Sequence, residues 1–361
     1  MIRVLVGLFG GALVLSMLME IFVAFLLPRR VKRDPKIVRS IFTFAWGPWR
    51  WMARRLPAQA ADTMLGIYGP FGLLLNLVLW VAAMMLGYAC LQWAGGSHLT
   101  VGHAVSFGND LYFSAETMAA SAPDGMGAHS TFARIVQVVD AGSGLAVIAI
   151  VIGYLPSLYQ AFSRREATVS QLDARAGSPP SAGRLVLRST QRDGWPALNR
   201  YLSGWETWVA ELMETHLAYP VLAYFRSQHV NQNWLSAMCA LLDACAFTVS
   251  AAPPGTVDSA RFTFAIARHA VVDLSYSFHV EPSPPEVDRL PIEDLRELLR
   301  QLHEVGVEPG ADEATIAERL TKMRSIYEPY INALGQRLEL PLPQWLAPES
   351  PTDNWRTTQW H

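Results

Sequence analysis

Apolar residues run almost unbroken through about Ile2–Leu27, about Gly66–Trp93 and about Ile135–Phe162. A bilayer core takes roughly 20 consecutive apolar residues as helix, so this pattern predicts three transmembrane helices. Between the second and third lies Val105–Ala133, too polar to span and too apolar for an ordinary loop. It predicts a re-entrant segment. Beyond Ser163 charges of both signs recur every few residues, and apolar positions take helical spacing through about Pro196–His216, Asn233–Ser250, Ser259–His279, Ile292–Val305 and Asp312–Leu338. A short extended piece is expected at Ala167–Leu172, and Ala176–Ser181 reads as a linker that caps a helix starting near Ala182. From Leu340 on, prolines and exposed-looking tryptophans suggest a tail that packs on another surface or is loose.

The predicted architecture is an all-α membrane protein with three transmembrane helices, a re-entrant loop and an α-helical cytoplasmic domain. Its parts are a first transmembrane helix (1–28), a cytoplasmic or interfacial amphipathic segment (29–62), a helix–loop–helix module (63–165, loop 105–133), a linker (166–183), the helical domain (184–340) and the tail (341–361).

Charge adds direction to this picture. The chain is 51% hydrophobic and 17% charged, and Thr63–Asn109 contains no Asp, Glu, Lys or Arg. Only Arg3 precedes the first apolar run, whereas Arg29, Arg30, Lys32, Arg33, Lys36 and Arg39 follow it. That bias is the reverse of a signal peptide's, the run is too long for one, and no small-residue cleavage site follows. The positive-inside rule then puts the N-terminus outside and the C-terminal half in the cytoplasm, with Arg164 and Arg165 ending the third helix. Ile37–Leu56 interleaves Trp46, Trp49 and Trp51 with Arg50, Arg54 and Arg55, the mix of a segment in the headgroup zone, and Gly47-Pro48 is expected to break it in two. It is either a plain anchor or a lever on the membrane module. A net charge of −2 gives no reason to expect nucleic acid. Cys90, Cys239 and Cys245 lack metal-ligand or CxxC spacing.

The re-entrant segment carries Leu111-Tyr112-Phe113-Ser114-Ala115-Glu116-Thr117, and Arg134 opens the next helix. This resembles the pore loop of the potassium-channel superfamily, in which a Leu–aromatic–aromatic–Ser–x–x–Thr pore helix leads into a Thr-Val-Gly-Tyr-Gly-Asp filter. The resemblance runs without a gap from Leu111 to Arg134 and covers roughly 66–165, with Gly144 where a hinge glycine is usual. It implies a homotetramer around a central pathway. The filter departs from the family: Ala119-Ala120-Ser121-Ala122-Pro123-Asp124-Gly125 stand in its place. Stacked carbonyl rings need residues of alternating hand, with glycine where φ is positive. Ala122 and Asp124 hold those positions, and Pro123 restricts both itself and Ala122. Asp124 is either one member of a carboxylate ring or a solvated residue of a Pro-Asp-Gly turn.

Charges inside membrane segments are functional candidates by default. The resemblance implies a strut role behind the filter for Glu116, next to Thr117. Asp140 either faces the pathway or bonds the pore helix, and Glu20 either packs or snorkels. Gly142, Gly144, Gly153 and Pro156 permit bending or close packing. In the cytoplasmic half no phosphate loop or βαβ alternation appears, and the histidines, His216 among them, read as ordinary partly buried residues. His269 and Asp273 share a helical face. Arg226–Asn233 reads either as a capped turn or as a ligand contact. No nucleophile–base constellation points to an enzyme, and no cofactor is expected beyond permeant monovalent or divalent cations. The expected function is a tetrameric channel-like protein, weakly selective among cations; the alternative is a non-conducting sensor or scaffold.

Overall fold

The computed structural model describes residues 1–25, 37–99, 106–121, 125–227, 229 and 231–346. Among them there are helices and loops and no strand. The helices are α1 (Ile2–Phe25), α2 (Ile37–Ala53), α3 (Ala58–Ala94), α4 (Phe107–Met118), α5 (Thr131–Ala176), α6 (Ala182–Thr190), α7 (Gly194–Ser203), α8 (Trp205–Ala218), α9 (Trp234–Ala251), α10 (Asp258–Phe278), α11 (Ile292–Glu304), α12 (Glu313–Arg324) and α13 (Glu328–Leu338). Four are long and apolar enough to cross a membrane: α1, α3, α5 and α9. They are not alike. Protein covers 94% of the α9 window, against 28%, 39% and 28% for α1, α3 and α5. A helix apolar all round and enclosed by protein is a core helix, whereas the other three leave broad apolar faces open. The chain forms two compact units, Met1–Tyr159 and Gln160 onward, and α5 passes from one to the other unbroken.

In the first unit α1 and α3 run antiparallel at close range because small residues line both faces. A Cβ on Gly10 would stand 2.6 Å from the Gly87 carbonyl oxygen and 2.7 Å from Cys90 Cβ, and one on Gly7 would stand 2.9 Å from Ala94 Cβ. Such approaches let backbones pack where no hydrophobic force separates protein from lipid. Val14, Met17, Ile21, Trp80, Met84 and Tyr88 form the core beside this crossing. Glu20 is buried in the same unit. The expected break at Gly47-Pro48 is absent: α2 continues through both residues to Ala53. Interior proline costs about 3 kcal/mol in an isolated helix, but aromatic packing on α3 offsets it here. Trp46 lies 4.7 Å from Tyr68, and the Trp49 indole N–H donates to the Met64 carbonyl at 2.9 Å.

The second unit wraps α9, whose side chains are buried on every face. Its centre holds a network that sequence spacing does not reveal. Asp243 accepts from both Arg289 guanidinium nitrogens, at 2.5 and 3.3 Å, and from the Tyr327 hydroxyl at 2.6 Å. Arg289 also reaches Glu328 and the Pro343 carbonyl, while Arg324 joins Glu328 to Asp288. The network therefore ties α9 to the α10–α11 loop, to α12 and α13, and to the segment after α13. That segment is not loose through Leu346: Trp345 is fully buried, and its carbonyl accepts from the Gly183 amide at 2.9 Å.

A second polar cluster fixes the end of α5. Arg165 donates to the Leu222 and Phe225 carbonyls at 2.9 and 2.8 Å, around the short 3-10 turn Pro220–Tyr224. It also bonds His216 Nε2 at 3.1 Å, while His216 Nδ1 lies 2.8 Å from the Leu212 carbonyl. His216 is fully buried, not partly so, and the two bonds require a neutral ring with its proton on Nδ1. Burial, then the Arg165 charge, push its pKa down to about 3, with the Leu212 bond opposing.

Other expectations fare unevenly. Ala167–Leu172 is helical, not extended, because Val169, Leu172 and Ala176 fall on one buried stripe of α5. Pro196–His216 is two helices meeting at Gly204, and Asp312–Leu338 breaks at Ser325–Tyr327. Arg226–Asn233 contains a cap: the Asn233 side chain accepts from the Ser236 amide at 2.7 Å, although Gln228 and Val230 lie outside the described residues. His269 and Asp273 pair at 3.6 Å on an exposed face.

Both polar clusters can be tested. Asp243→Asn leaves Arg289 without its main counter-charge and should cost the second unit about 3–5 kcal/mol, read by thermal unfolding; a shift near zero would remove the network from the stability of the unit. A histidine that resists protonation when folded stabilises the native state fully above its unfolded value of 6.5 and loses that contribution as pH falls toward 3. Wild type should thus lose up to about 1.4 kcal/mol over the first pH unit below 6.5, and His216→Gln, whose amide oxygen keeps the Arg165 bond, should show a flatter profile.

Candidate functional site

The short helix α4 is the centre of the candidate site. Ser106 caps it, its hydroxyl accepting from the Asn109 amide at 3.2 Å. Asp110, Phe113, Ser114, Thr117 and Met118 form its buried stripe. That spacing of three and four seats one face of α4 against α3 and α5. The opposite side leaves Tyr112 exposed and Leu111, Ala115 and Glu116 half-covered.

Polar contacts then lock the three helices together. Ser97 donates to Asp110 at 2.6 Å, which places a carboxylate near the positive N-terminal end of α4. Ser114 donates to Asp140 of α5 at 2.8 Å, so Asp140 bonds α4, which matches one of its two expected placements. Tyr88 of α3 and Ser143 of α5 share a 2.6 Å hydrogen bond, and Gln92 donates to the Ala133 carbonyl at 3.1 Å. The Gly127 amide pairs with the Leu99 carbonyl and the His129 amide with that of His98, which joins the loops flanking α4. Arg134 donates to the Ala128 carbonyl at 3.1 Å. Of these contacts only the Asp140 bond was readable in sequence. Three of the others come from Tyr88, Gln92 and Ser97, polar residues whose place in a charge-free stretch was the available signal.

The end of α4 sets the path of the next residues. The Ser121 amide donates to the Glu116 carbonyl at 2.9 Å and the Ala120 amide to that of Thr117 at 3.1 Å. With Ala120 at φ +58°, this is a Schellman turn with alanine where glycine is usual. Ala119, Ala120 and Ser121 are exposed beyond the turn, and Gly125 has φ +68°. Ala122, Pro123 and Asp124 lie outside the described residues. Immediately behind the turn, α5 crosses α4 at Gly144. A Cβ there would overlap the Met118 carbonyl oxygen and stand 2.9 Å from the carbonyl carbon. Gly144 is therefore a contact glycine. Gly142 and Gly153 have open space around their Cβ positions, and α5 continues through Pro156, with the Ser157 hydroxyl donating to the Gly153 carbonyl at 3.0 Å.

The remaining expected residues are less constrained. Glu116 makes no side-chain hydrogen bond among the described residues, so no strut appears within one chain. The Thr117 hydroxyl is buried without a partner there. No group of three or more His, Cys, Asp or Glu among the described residues could hold a metal ion. No family model, no curated protein and no solved structure matches this chain.

The geometry predicts opposite effects at two neighbouring small residues. Ala120→Gly relieves a left-handed alanine and should stabilise the first unit by about 1–2 kcal/mol. Gly144→Ala pushes a methyl into backbone and should destabilise by about 1–3 kcal/mol. Thermostability of the detergent-solubilised protein reads both; equal and small effects would show that the α4–α5 crossing is looser than the contact implies.

Proposed function

We propose that the chain is a pore-loop channel-like membrane protein that assembles as a homotetramer, spans the membrane with α1, α3 and α5, and is weakly selective among cations. The observation that carries this reading is α4. Twelve residues of helix rise about 18 Å, short of a roughly 30 Å bilayer core, so α4 enters without crossing. It is held rigidly between two helices long enough to span, with its C-terminal end exposed. A half-buried helix of this kind is tolerated at membrane depth only where protein or a water-filled cavity receives it. Four copies around an axis provide both, and the negative C-terminal dipoles of four α4 helices favour cations. The Lys/Arg distribution supports an outside N-terminus and a cytoplasmic second unit built around α9.

One observation favours a second reading, a non-conducting sensor or scaffold on the same architecture. The Schellman turn points the Glu116 and Thr117 carbonyls back into helix-terminating bonds. At the register of Ala119–Ser121 the chain turns instead of running extended along an axis. Such a turn cannot supply stacked carbonyl rings, which supports weak selectivity if ions pass and leaves a sealed loop if they do not.

Mass measurement in nanodiscs should give four copies, and a stable monomer would end the pore reading. In planar bilayers, reversal potentials should show little preference for potassium over sodium, and Asp124→Asn should reduce cation-over-anion preference. A potassium preference of about a hundredfold, roughly 2.7 kcal/mol, would show that a filter forms after all. An ordered tetramer that stays silent would select the scaffold.

A further inference from the structure

We propose that α2 is a binding element for anionic phospholipid, an inference that rests on the membrane reading above and on the two-sided character of this helix. One side belongs to the protein. Trp46 is 1% exposed, Trp49 stacks on Phe71 at 5.6 Å between ring centres, and Ala53 is buried. The other side faces outward with large apolar groups: Phe44 is 81% exposed, Trp51 56% and Met52 50%. Phe44, Pro48, Trp51 and Arg55 follow one another at helical spacings of four, three and four, so the apolar ridge ends in a guanidinium. Arg55 lies 3.4 Å above the Trp51 ring. That stack holds a charge at the depth of an interfacial indole, where headgroup phosphates lie.

Charge selects the class of lipid. From Ile37 to Leu56 the sequence has four arginines and no acidic residue, a net +4 in a chain whose total is −2. A neutral leaflet would satisfy the apolar ridge, but it gives nothing in return for so concentrated a charge. A leaflet with net-negative phospholipid does, at about fivefold in binding per Lys/Arg near its surface. The ligand is therefore the headgroup of a phospholipid with net negative charge, taken from the leaflet and not from solution.

Trp51 supplies the reporter. Full-length protein would be reconstituted into vesicles with equal mole fractions of brominated phosphatidylglycerol or brominated phosphatidylcholine, and quenching read as wild type minus Trp51→Phe. The proposal expects stronger quenching by the glycerol lipid, weakened by salt. It expects the preference to fall about fivefold for each of Arg50, Arg54 and Arg55 changed to Gln, with the Lys variants keeping most of it. Equal quenching by both lipids would reduce α2 to an unselective anchor and overturn the proposal. No quenching by either would take Trp51 out of the lipid altogether and overturn it too. Reversal by inorganic phosphate at matched ionic strength would overturn the leaflet as the source. The copy number of the assembly is measured separately, so a failed lipid preference with an intact tetramer leaves the channel-like reading standing.

Discussion

The membrane unit depends on one close approach, that of α5 to the last carbonyl of α4 at Gly144. A short helix packed among longer ones presents unpaired carbonyls at its C-terminal end, and a buried polar group without a partner is costly. Here the chain closes two of them with a Schellman turn and covers the Met118 carbonyl with the bare backbone of a glycine. Ala120 accepts a left-handed conformation to complete the turn, which costs about 1–2 kcal/mol. The Ser114–Asp140 and Tyr88–Ser143 bonds then keep α5 at the height where Gly144 can make its contact. Any slide by one residue would present a side chain to α4.

The second unit solves a different problem, again with few residues. Its core helix has no polar face to point at water, so specificity comes from a few buried charges. Asp243, Arg289, Glu328 and Arg324 satisfy one another and the Pro343 carbonyl, and breaking such a set is more costly than forming it is favourable. Arg165 plays the matching part at the other side of the unit. It fills carbonyl acceptors around a 3-10 turn and requires His216 to remain neutral. Burial pushes the thiols of Cys239 and Cys245 up as well, which makes them inert packing groups.

Local pattern made the helices legible, and long-range chemistry hid the rest. Apolar run length found α1, α3 and α5, and the resemblance carried by Leu111–Thr117 found the short helix α4. Helix ends were harder. Ala58–Thr63 and Ala167–Ala176 extend α3 and α5 beyond the apolar runs because their own spacing and neighbours favour helix, which a window tuned to membrane length cannot register. Pro48 misled for the converse reason, since rings from α3 hold the helix through it. Asp243 itself is joined to Arg289 and Tyr327, 46 and 84 positions away, and no spacing rule brings those residues together. At the candidate site the presence of a short helix and the alternatives for Asp140 were readable. The turn at Ala119–Ser121 was not, because a left-handed alanine has no sequence signature.

Asp243 has a consequence for biosynthesis. The α9 segment is as apolar as a spanning helix by length and composition, with a mean hydropathy of 1.5. It leaves the ribosome about a hundred residues before Trp345, which at roughly 5–20 residues per second is a delay of several seconds without its full cover. Asp243 is the sole charged residue in α9 and sits at its middle. A central aspartate costs about 2.5–3.5 kcal/mol on the insertion scale. The same carboxylate that gathers Arg289 and Tyr327 thus also penalises transfer of this apolar helix into a bilayer.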